Sequence, residues 1–189
     1  QRIYDRAQLV VPDGMPLVWA AWCQGTPLKE RVAGSDLFME LCRTSARKGY
    51  RVYFLGAQEG VAARAAENLR SEYSGLQVVG AYAPPWGFDQ NEEECQRMVE
   101  MIREAKPHLL FVGLGSPKQE QWIARYHHQY GVPVSMAVGG SFDFAAGNIR
   151  RAPRWMQRAG FEWLWRLLKE PARLWRRYLI DDPTFFWLV

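Results

Sequence analysis

Short runs rich in β-branched and aromatic residues alternate with longer amphipathic stretches over most of this chain. This alternation predicts a mostly parallel β-sheet covered by helices, a Rossmann-like α/β fold rather than a β-sandwich. We expect strands near Ala7–Val11, Arg51–Leu55, Leu76–Ala81, His108–Val112 and Val134–Val138. We expect helices near Pro16–Trp22, Gly34–Lys48, Val61–Glu72, Asn91–Glu104 and Lys118–Gln129. The length of 189 residues allows one such domain with a full core, but not two.

The charge of the chain is distributed unevenly, and the change lies near residue 150. Residues 1–150 carry 16 Lys and Arg against 16 Asp and Glu, whereas residues 151–189 carry 8 against 4. Five of the nine tryptophans also lie after residue 150. We therefore expect an α/β domain at 1–150 and a basic, tryptophan-rich helical appendage at 151–189.

Basic residues of the appendage recur at steps of three or four positions beside an apolar face. They are Arg166, Lys169, Arg173, Arg176 and Arg177. A helix of this kind suits an anionic membrane surface. The alternative is a C-terminal helix that packs its aromatic residues on the domain. Because the domain is neutral and has no recognisable nucleic-acid-binding module, we expect no nucleic-acid partner.

The sequence has no signal for a spanning helix, a zinc site or a disulfide scaffold. No stretch approaches ~18 uninterrupted apolar residues, so we expect any membrane contact to be peripheral. Cys23, Cys42 and Cys95 lie far apart without C-x-x-C spacing, which fits a reducing compartment. We expect no metal ion and no cofactor. Since the sequence does not begin with methionine, we expect a further segment upstream. A homo-oligomer is compatible with the sequence.

The turns that follow the predicted strands hold the candidate binding residues, because ligands of open parallel sheets bind beyond the carboxyl ends of the strands. In the turn 113–119, glycines let backbone N–H groups approach a ligand, and the following helix offers a positive N-terminus to a diphosphate. Gly115, Lys118 and Gln119 are the candidates there, and Gly56 and Gly139 hold the corresponding turns after two other strands. An ordinary glycine turn is the alternative, since neither the Walker nor the G-x-G-x-x-G spacing is present.

Two carboxylates and two aromatic residues also lie in segments that follow predicted strands. Asp13 follows the first predicted strand, where it is suited to act as a general base or to cap the next helix. Asp143 lies in a glycine-rich turn, where it is suited to bind ribose hydroxyls or to stabilise the turn. Phe88 and Trp86 offer rings that can stack on a base or pack within their loop.

Arg31 precedes the predicted helix at 34–48. At that position a guanidinium can bind a phosphate through two hydrogen bonds. The alternative is a solvated arginine that pairs with Glu30 or Asp36. The sequence is compatible with both interpretations, the phosphate-binding arginine and the solvated one.

Six segments, in this order along the chain, resemble the WecG/TagA/CpsF family of glycosyltransferases, glycosyltransferase family 26. They are Val11–Gly14, Glu30–Gly34, Tyr53–Gly56, Gly113–Glu120, Val138–Phe144 and Gly147–Pro153. The resemblance spans Leu9 to Arg177 and is far more specific than any one of the motifs. This sequence differs from the family at its start, because family members begin well upstream with a segment that contributes to the pocket.

The resemblance implies an inverting, metal-independent glycosyltransferase that uses a UDP-sugar donor and a polyprenyl-diphosphate-linked sugar acceptor in cell-surface polysaccharide synthesis. Residues 1–150 would then form the nucleotide-sugar-binding catalytic domain. The enzyme would be cytoplasmic and peripheral on the inner face of the bacterial cell membrane. The donor sugar is left open among N-acetylmannosamine, its uronic acid, glucose and glucuronic acid.

The resemblance also implies roles for individual residues. Asp13 matches the catalytic base and Arg31 an arginine that contacts donor or acceptor phosphates. Gln119 matches a residue near the diphosphate, Asp143 one that holds the ribose, and Phe88 an aromatic residue that stacks on uracil. In the appendage, the arginines that would complete the site at the membrane are Arg166, Arg173 and Arg176.

Two other functions compete with this interpretation. A Rossmann-like nucleotide enzyme of another class would need a G-x-G-x-x-G turn and an acidic residue ~20 positions later, and neither is seen. A non-catalytic membrane adaptor would bind lipid without binding UDP. The absence of a D-x-D motif agrees with metal-free transfer, since such carboxylates usually hold the metal ion of metal-dependent glycosyltransferases.

Overall fold

The computed structural model describes residues 3–149, 151–153, 155–156, 162–169, 171 and 175, without the side chains of Trp163, Arg166 and Lys169. The chain divides into two compact units. The first unit comprises Gln1–Val10 and Gly34–Ile149, and the second comprises Val11–Ala33 and Arg150–Val189. Residues 11–33 thus group with the C-terminal part of the chain, although we placed them in the N-terminal domain. The functional division at residue 150 stays a prediction.

Within the described residues, the sheet of the first unit has four strands, and all of them are parallel. The strands are β1 Arg51–Gly56, β2 Gln77–Tyr82, β3 Leu109–Gly113 and β4 Val134–Ala137. Their order across the sheet is β2-β1-β3-β4. The predicted Rossmann-like α/β fold is therefore confirmed, as are four of the five predicted strands.

The helices follow the predicted amphipathic stretches closely. In chain order they are α1 Met15–Cys23, α2 Gly34–Lys48, α3 Val61–Glu72, α4 Glu92–Ala105, α5 Lys118–Tyr130, α6 Ser141–Ala145 and α7 Glu162–Lys169. Helices α1 and α7 belong to the second unit, and the others belong to the first. Among the described residues, no helix combines the length and the apolar character needed to cross a membrane.

Local chemistry explains where the long helices begin and end. The side chain of Asn91 caps α4 by accepting a hydrogen bond from the Glu94 N–H at 3.1 Å. Three glutamates follow Asn91 in the first turn, where negative charge is favourable beside the positive end of the helix dipole. Helix α5 ends at Tyr130, and Gly131 after it adopts the left-handed conformation typical of a residue that follows a helix.

Both faces of the sheet are buried, because strand β1 directs alternate side chains into two hydrophobic clusters. Val52 and Phe54 pack with α2, α3 and α6 on one face, whereas Tyr53 and Leu55 pack with α4 and α5 on the other. Phe38 of α2 anchors the first cluster, with edge-to-face ring contacts to Phe54, Phe111 and Phe142. Each fully buried side chain of this size stabilises the fold by about 1.5–3 kcal/mol. Burial on both faces explains why each strand appears in the sequence as a continuous run of apolar residues.

The predicted strand at Ala7–Val11 is wrong. A short 3₁₀ helix, Tyr4–Arg6, precedes it, and the described residues 7–14 form neither strand nor helix. A strand requires a neighbouring strand that accepts and donates its backbone hydrogen bonds. Residues 7–11 pair with no described strand, and the side chains of Leu9 and Val10 are 75% and 58% exposed. Asp13 therefore precedes helix α1 without following a strand.

The second unit contains an apolar helix, α1, that lies directly after Asp13. Gly14 precedes it and Pro16 lies in its first turn, where the missing proline N–H costs no helical hydrogen bond. None of its residues is buried, and Leu17, Trp19 and Trp22 are exposed. The chain then returns to the start of this unit, since the Val32 N–H donates to the Pro12 carbonyl at 3.0 Å.

The strand ends of the first unit pack so closely that side chains are excluded. A Cβ atom on Gly56 would lie 2.5 Å from the backbone of Gly113, and Gly56 has a φ of +115°. A Cβ atom on Gly113 would lie 2.8 Å from the Gly139 carbonyl oxygen and from the Phe142 ring. The backbone at the end of β3 is therefore in direct contact with the end of β1 and with Gly139 after β4, and glycine is required at Gly56 and Gly113 for this contact.

The three cysteines differ in accessibility, which predicts their reactivity. Cys23 is exposed, whereas Cys42 and Cys95 are buried. Burial raises the pKa of the Cys42 thiol to about 12 and also raises the pKa of the Cys95 thiol. A thiol with a raised pKa stays protonated at pH 8, and only the thiolate is nucleophilic. We expect Cys23 alone to react rapidly with DTNB at pH 8, with the others reacting after unfolding.

In a Cys23→Ser variant, the rapid phase of the DTNB reaction should disappear. Two or more rapidly reacting thiols in the folded protein would contradict the packing of α2 or α4 against the sheet.

Gly113 and Gly140 make a matched pair of substitutions. Gly113→Ala would force a Cβ atom against the Gly139 carbonyl and the Phe142 ring, so we expect a loss of roughly 1–3 kcal/mol in the free energy of unfolding. Gly140→Ala places its Cβ 4.0 Å from an Asp143 carboxylate oxygen, and we expect a change within about 0.5 kcal/mol. Urea denaturation of both variants measures the difference, and equal stabilities would refute the close packing.

Candidate functional site

The strand order indicates that the carboxyl ends of β1 and β3 are where a ligand would bind. The chain runs from β1 outward to β2 and then returns across β1 to β3, so the order reverses between β1 and β3. Open parallel sheets bind ligands at such a reversal. Gly56 and Gly113 are paired at the ends of these strands, and the Ala57 N–H donates to the Gly113 carbonyl at 2.8 Å. Gly56 thus lies at the end of β1, beside this reversal, and its role in ligand binding stays a prediction.

The loop between β3 and α5 presents open backbone and a positive charge. Gly115 has a φ of +80°, and a Cβ atom on it would meet nothing within 4 Å. Lys118 is the first residue of α5, and its Nζ lies 2.9 Å from the Asp89 carboxylate. This hydrogen bond from Lys118 lowers the pKa of Asp89. An anion at this helix N-terminus would therefore meet both the helix dipole and an ammonium group.

Gln119 links two of the loops that carry candidate residues. Its side-chain oxygen accepts a hydrogen bond from the Gly139 N–H at 3.1 Å, and its amide nitrogen donates to Glu120 at 2.8 Å. Gln119 is only 6% exposed. The observed contacts therefore give Gln119 a part in holding the loop after β4 against α5, and its proximity to a diphosphate stays a prediction.

The two aromatic residues of the loop after β2 differ in exposure. Phe88 begins a short 3₁₀ helix, Phe88–Gln90, and is 8% exposed within the cluster that contains Tyr53 and Leu55. Trp86 is fully exposed. The Lys118 ammonium lies 5.9 Å from the centre of each ring. A stacking role for Phe88 stays a prediction, and the ring that solvent reaches in this loop is that of Trp86.

Asp143 lies inside helix α6 rather than in an open turn. Its Oδ1 accepts a hydrogen bond from the Asn148 side chain at 3.2 Å, and its backbone carbonyl accepts from the Asn148 N–H at 3.0 Å. Nη1 of Arg64, in α3, donates a hydrogen bond to Oδ1 of Asn148 at 3.1 Å. Asp143 thus holds the segment after α6, and ribose binding by this carboxylate stays a prediction.

The second unit contains both predicted catalytic residues. Asp13 is exposed and immediately precedes Gly14 and helix α1. Arg31 is mostly buried, and its Nη1 lies 3.1 Å from Oε2 of Glu162, the first residue of α7. The sequence suggested Glu30 or Asp36 as a partner of Arg31. Glu162 is a residue that the sequence analysis missed, and no spacing signal connects two residues so far apart in the chain.

The appendage residues are described only in part. The backbone of Arg166 lies within α7, but its side chain, Arg173 and Arg176 fall outside the described residues. Among the tail side chains that the structure describes, Trp155, Leu168 and Trp175 are 67%, 69% and 48% exposed. In the described part of the chain, no three His, Cys, Asp or Glu side chains form a cluster of the kind that holds a metal ion.

Comparison with known proteins agrees with the arrangement of these motifs. The model of the glycosyl transferase WecG/TagA/CpsF family matches residues 1–189. A protein of Bacillus spizizenii named N-acetylglucosaminyldiphosphoundecaprenol N-acetyl-beta-D-mannosaminyltransferase is 37% identical over 95% of this chain and 67% of its own length. Proteins of the same name from Bacillus subtilis and Staphylococcus aureus are 34% and 32% identical, over 94% and 99% of this chain.

The chain spans about two thirds of the length of these relatives, with 66% and 70% of the Bacillus subtilis and Staphylococcus aureus proteins covered. The predicted family is confirmed, and with it the class of enzyme, a transferase of glycosyl groups. The chain belongs to the glycosyl transferase WecG/TagA/CpsF family.

Proposed function

We propose that the protein transfers a sugar of the N-acetylmannosamine type from a UDP-sugar to a polyprenyl-diphosphate-linked N-acetylglucosamine in cell-surface polysaccharide synthesis. The observation that carries this proposal is the family match over the whole chain, together with the name shared by the relatives. The strand-order reversal supports a nucleotide ligand at the ends of β1 and β3. In this proposal the acceptor is a lipid, so the reaction takes place at a membrane surface.

The donor diphosphate would lie at the N-terminus of α5. Gly115 leaves room for a close backbone approach, and Lys118 supplies a cation in the first turn. The Lys118–Asp89 pair is partly exposed, with 44% and 33% of the two side chains accessible. An ion pair of that kind is worth only ~0–1 kcal/mol. Lys118 can therefore exchange Asp89 for a diphosphate at little cost.

The uridine would lie between the loops after β2 and β4. We propose that Asp143 binds the ribose hydroxyls and that Phe88, with the neighbouring Trp86, contacts the uracil ring. The full exposure of Trp86 supports stacking in this loop. Gly56 and Gly139 would let the ligand approach the backbone, and Gln119 would hold the Gly139 loop in place beneath the diphosphate.

The proposed chemistry is a single displacement with inversion. Asp13 accepts the proton of an acceptor hydroxyl, whose oxygen forms a bond to the anomeric carbon of the donor. The bond from that carbon to the diphosphate oxygen breaks, and UDP leaves with the electron pair. In this proposal, Arg31, Lys118, the helix N-termini and the tail arginines stabilise the charge of the leaving diphosphate without a metal ion.

We propose that the second unit contacts the cytoplasmic face of the membrane through the tail arginines Arg166, Arg173 and Arg176. The exposure of Trp155, Leu168 and Trp175 supports this arrangement. Tryptophan and leucine side chains beside basic residues are the composition of interfacial helices.

Replacement of Asp13 tests whether this residue is the general base. We expect Asp13→Asn, in the full-length protein, to lower the rate of transfer to a polyprenyl-diphosphate-linked acceptor by about 10²–10⁴-fold, because an amide cannot accept the hydroxyl proton. UDP affinity by calorimetry should stay unchanged. Asp5→Asn, which neutralises another exposed aspartate, is the matched control. Transfer by Asp13→Asn within about threefold of wild type would remove Asp13 from the mechanism.

Charge reversal in the tail tests membrane binding. We expect Arg166, Arg173 and Arg176, when replaced together by Glu, to weaken binding to anionic vesicles by at least ~100-fold, since each basic residue near such a surface contributes ~1 kcal/mol. Turnover of the lipid-linked acceptor should fall in parallel. The control variant carries Glu at three exposed arginines of the first unit, Arg6, Arg97 and Arg103. Equal vesicle binding by the two triple variants would refute the role of the tail.

A further inference from the structure

Glu120 and its neighbour Gln119 form a hydrogen bond that helix geometry alone does not provide. The amide nitrogen of Gln119 donates to Oε1 of Glu120 at 2.8 Å. Both residues lie in the first turn of α5. Adjacent residues of a helix point about 100° apart, so their side chains do not normally face each other. A contact from outside the helix must therefore turn these two side chains together.

The Gly139 N–H supplies that contact, because it donates to the side-chain oxygen of Gln119 at 3.1 Å. A backbone N–H can only donate, so Gln119 must present its oxygen to Gly139 and direct its NH₂ group elsewhere. That NH₂ group requires an acceptor, and an ionised carboxylate only accepts. The three groups therefore have one consistent arrangement, in which Glu120 determines the orientation of the Gln119 amide.

The second carboxylate oxygen of Glu120 shows that packing alone does not account for this residue. Oε2 is buried, and among the described residues it has no hydrogen-bond partner. A buried polar atom without a partner destabilises a fold, and such atoms are rare in native proteins. The contact that a carboxylate does make at this position is the one to Gln119.

The loop that Gln119 contacts leads into helix α6. Gly139 follows β4 with a φ of +53°, and α6 begins two residues later at Ser141 and carries Asp143. The carbonyl side of Gly139 lies against Gly113, where a Cβ atom would approach the Gly139 oxygen to 2.8 Å. Its N–H side is held by Gln119. The placement of the start of α6 relative to the start of α5 therefore depends on the Gln119 amide.

We propose that Glu120 is a positioning residue for the donor nucleotide, and that it acts by orienting Gln119 and thereby holding the start of α6 against the start of α5. The inference rests on the proposed function, which places the diphosphate at the N-terminus of α5 and the ribose at Asp143. One nucleotide then spans both helix starts, so its affinity depends on their relative placement. Glu120 itself contacts neither the reacting atoms nor the acceptor.

The test combines calorimetric titration with UDP and steady-state kinetics on the full-length protein. Glu120→Met keeps the approximate length of the side chain and removes the acceptor. We expect the Kd for UDP and the KM for the UDP-sugar to rise about tenfold, because the Gln119 amide loses its fixed orientation. The kcat and the KM for the lipid-linked acceptor should stay within about twofold of wild type, since only donor placement changes.

Two further variants test whether Glu120 acts as an acceptor and whether it acts through Gln119. Glu120→Gln keeps an acceptor oxygen, so we expect it to restore UDP affinity to within about threefold of wild type. Gln119→Leu should weaken UDP binding at least as much as Glu120→Met. The double variant Gln119→Leu/Glu120→Met should be no worse than Gln119→Leu alone, because the two residues act in sequence.

Glu93→Met is the matched control. Glu93 is also a glutamate in the first turn of a helix, α4, and it is exposed. Its replacement removes the same favourable interaction with a helix dipole, and UDP affinity should not change. Urea denaturation of each variant separates a loss of binding from a loss of folding. If Glu120→Met does not fold, Glu120→Ala removes the acceptor without filling the space.

The outcomes separate the inference from the function on which it rests. A wild-type protein that does not bind UDP would overturn the proposed function, and the inference with it. Wild-type binding together with an unchanged Kd in the Glu120 variant that lacks an acceptor would overturn the inference alone. The inference would also fail if Glu120→Gln bound UDP as weakly as Glu120→Met, or if the losses multiplied in the double variant.

Discussion

The direct contact between the backbones of Gly56 and Gly113 determines how the ends of β1 and β3 meet. Gly139 follows β4 and approaches Gly113 from the other side. Any Cβ atom at Gly56 or Gly113 would separate these segments, so they converge only because both positions are glycine. The strand-order reversal, where open parallel sheets bind ligands, lies at this convergence.

Two ion pairs of this protein differ in how far they are exposed to solvent. Lys118 and Asp89 are partly exposed, so their pairing is weak and leaves Lys118 able to exchange its partner for a ligand. Arg31 and Glu162 are buried, and burial makes their pairing persistent. Under the proposed function, the first pair leaves Lys118 able to respond to a substrate, whereas the second holds the Arg31 guanidinium in place beforehand.

The periodicity of the sequence predicted most of the fold because both faces of the sheet are buried and the helices are amphipathic. Four of the five strands and all five predicted helices are present among the described residues. The strand at Ala7–Val11 failed because an apolar run predicts a strand only if a neighbour pairs with it. The sequence indicates a turn where helix α6 lies, since five residues are too few for a helical period to show. Glu162 was missed because a pairing across such a separation has no local pattern.

By itself, the sequence determined the alternation of strands and helices, the turns that carry the candidate residues and, through six motifs in order, the family. These features are local, or depend on residues that follow one another along the chain. Only the tertiary structure decided that Gln119 is bonded to the Gly139 loop, that Phe88 is buried while Trp86 is exposed, and that Arg31 pairs with Glu162. Each of these depends on packing between distant segments, and packing is set by the whole fold rather than by neighbouring residues.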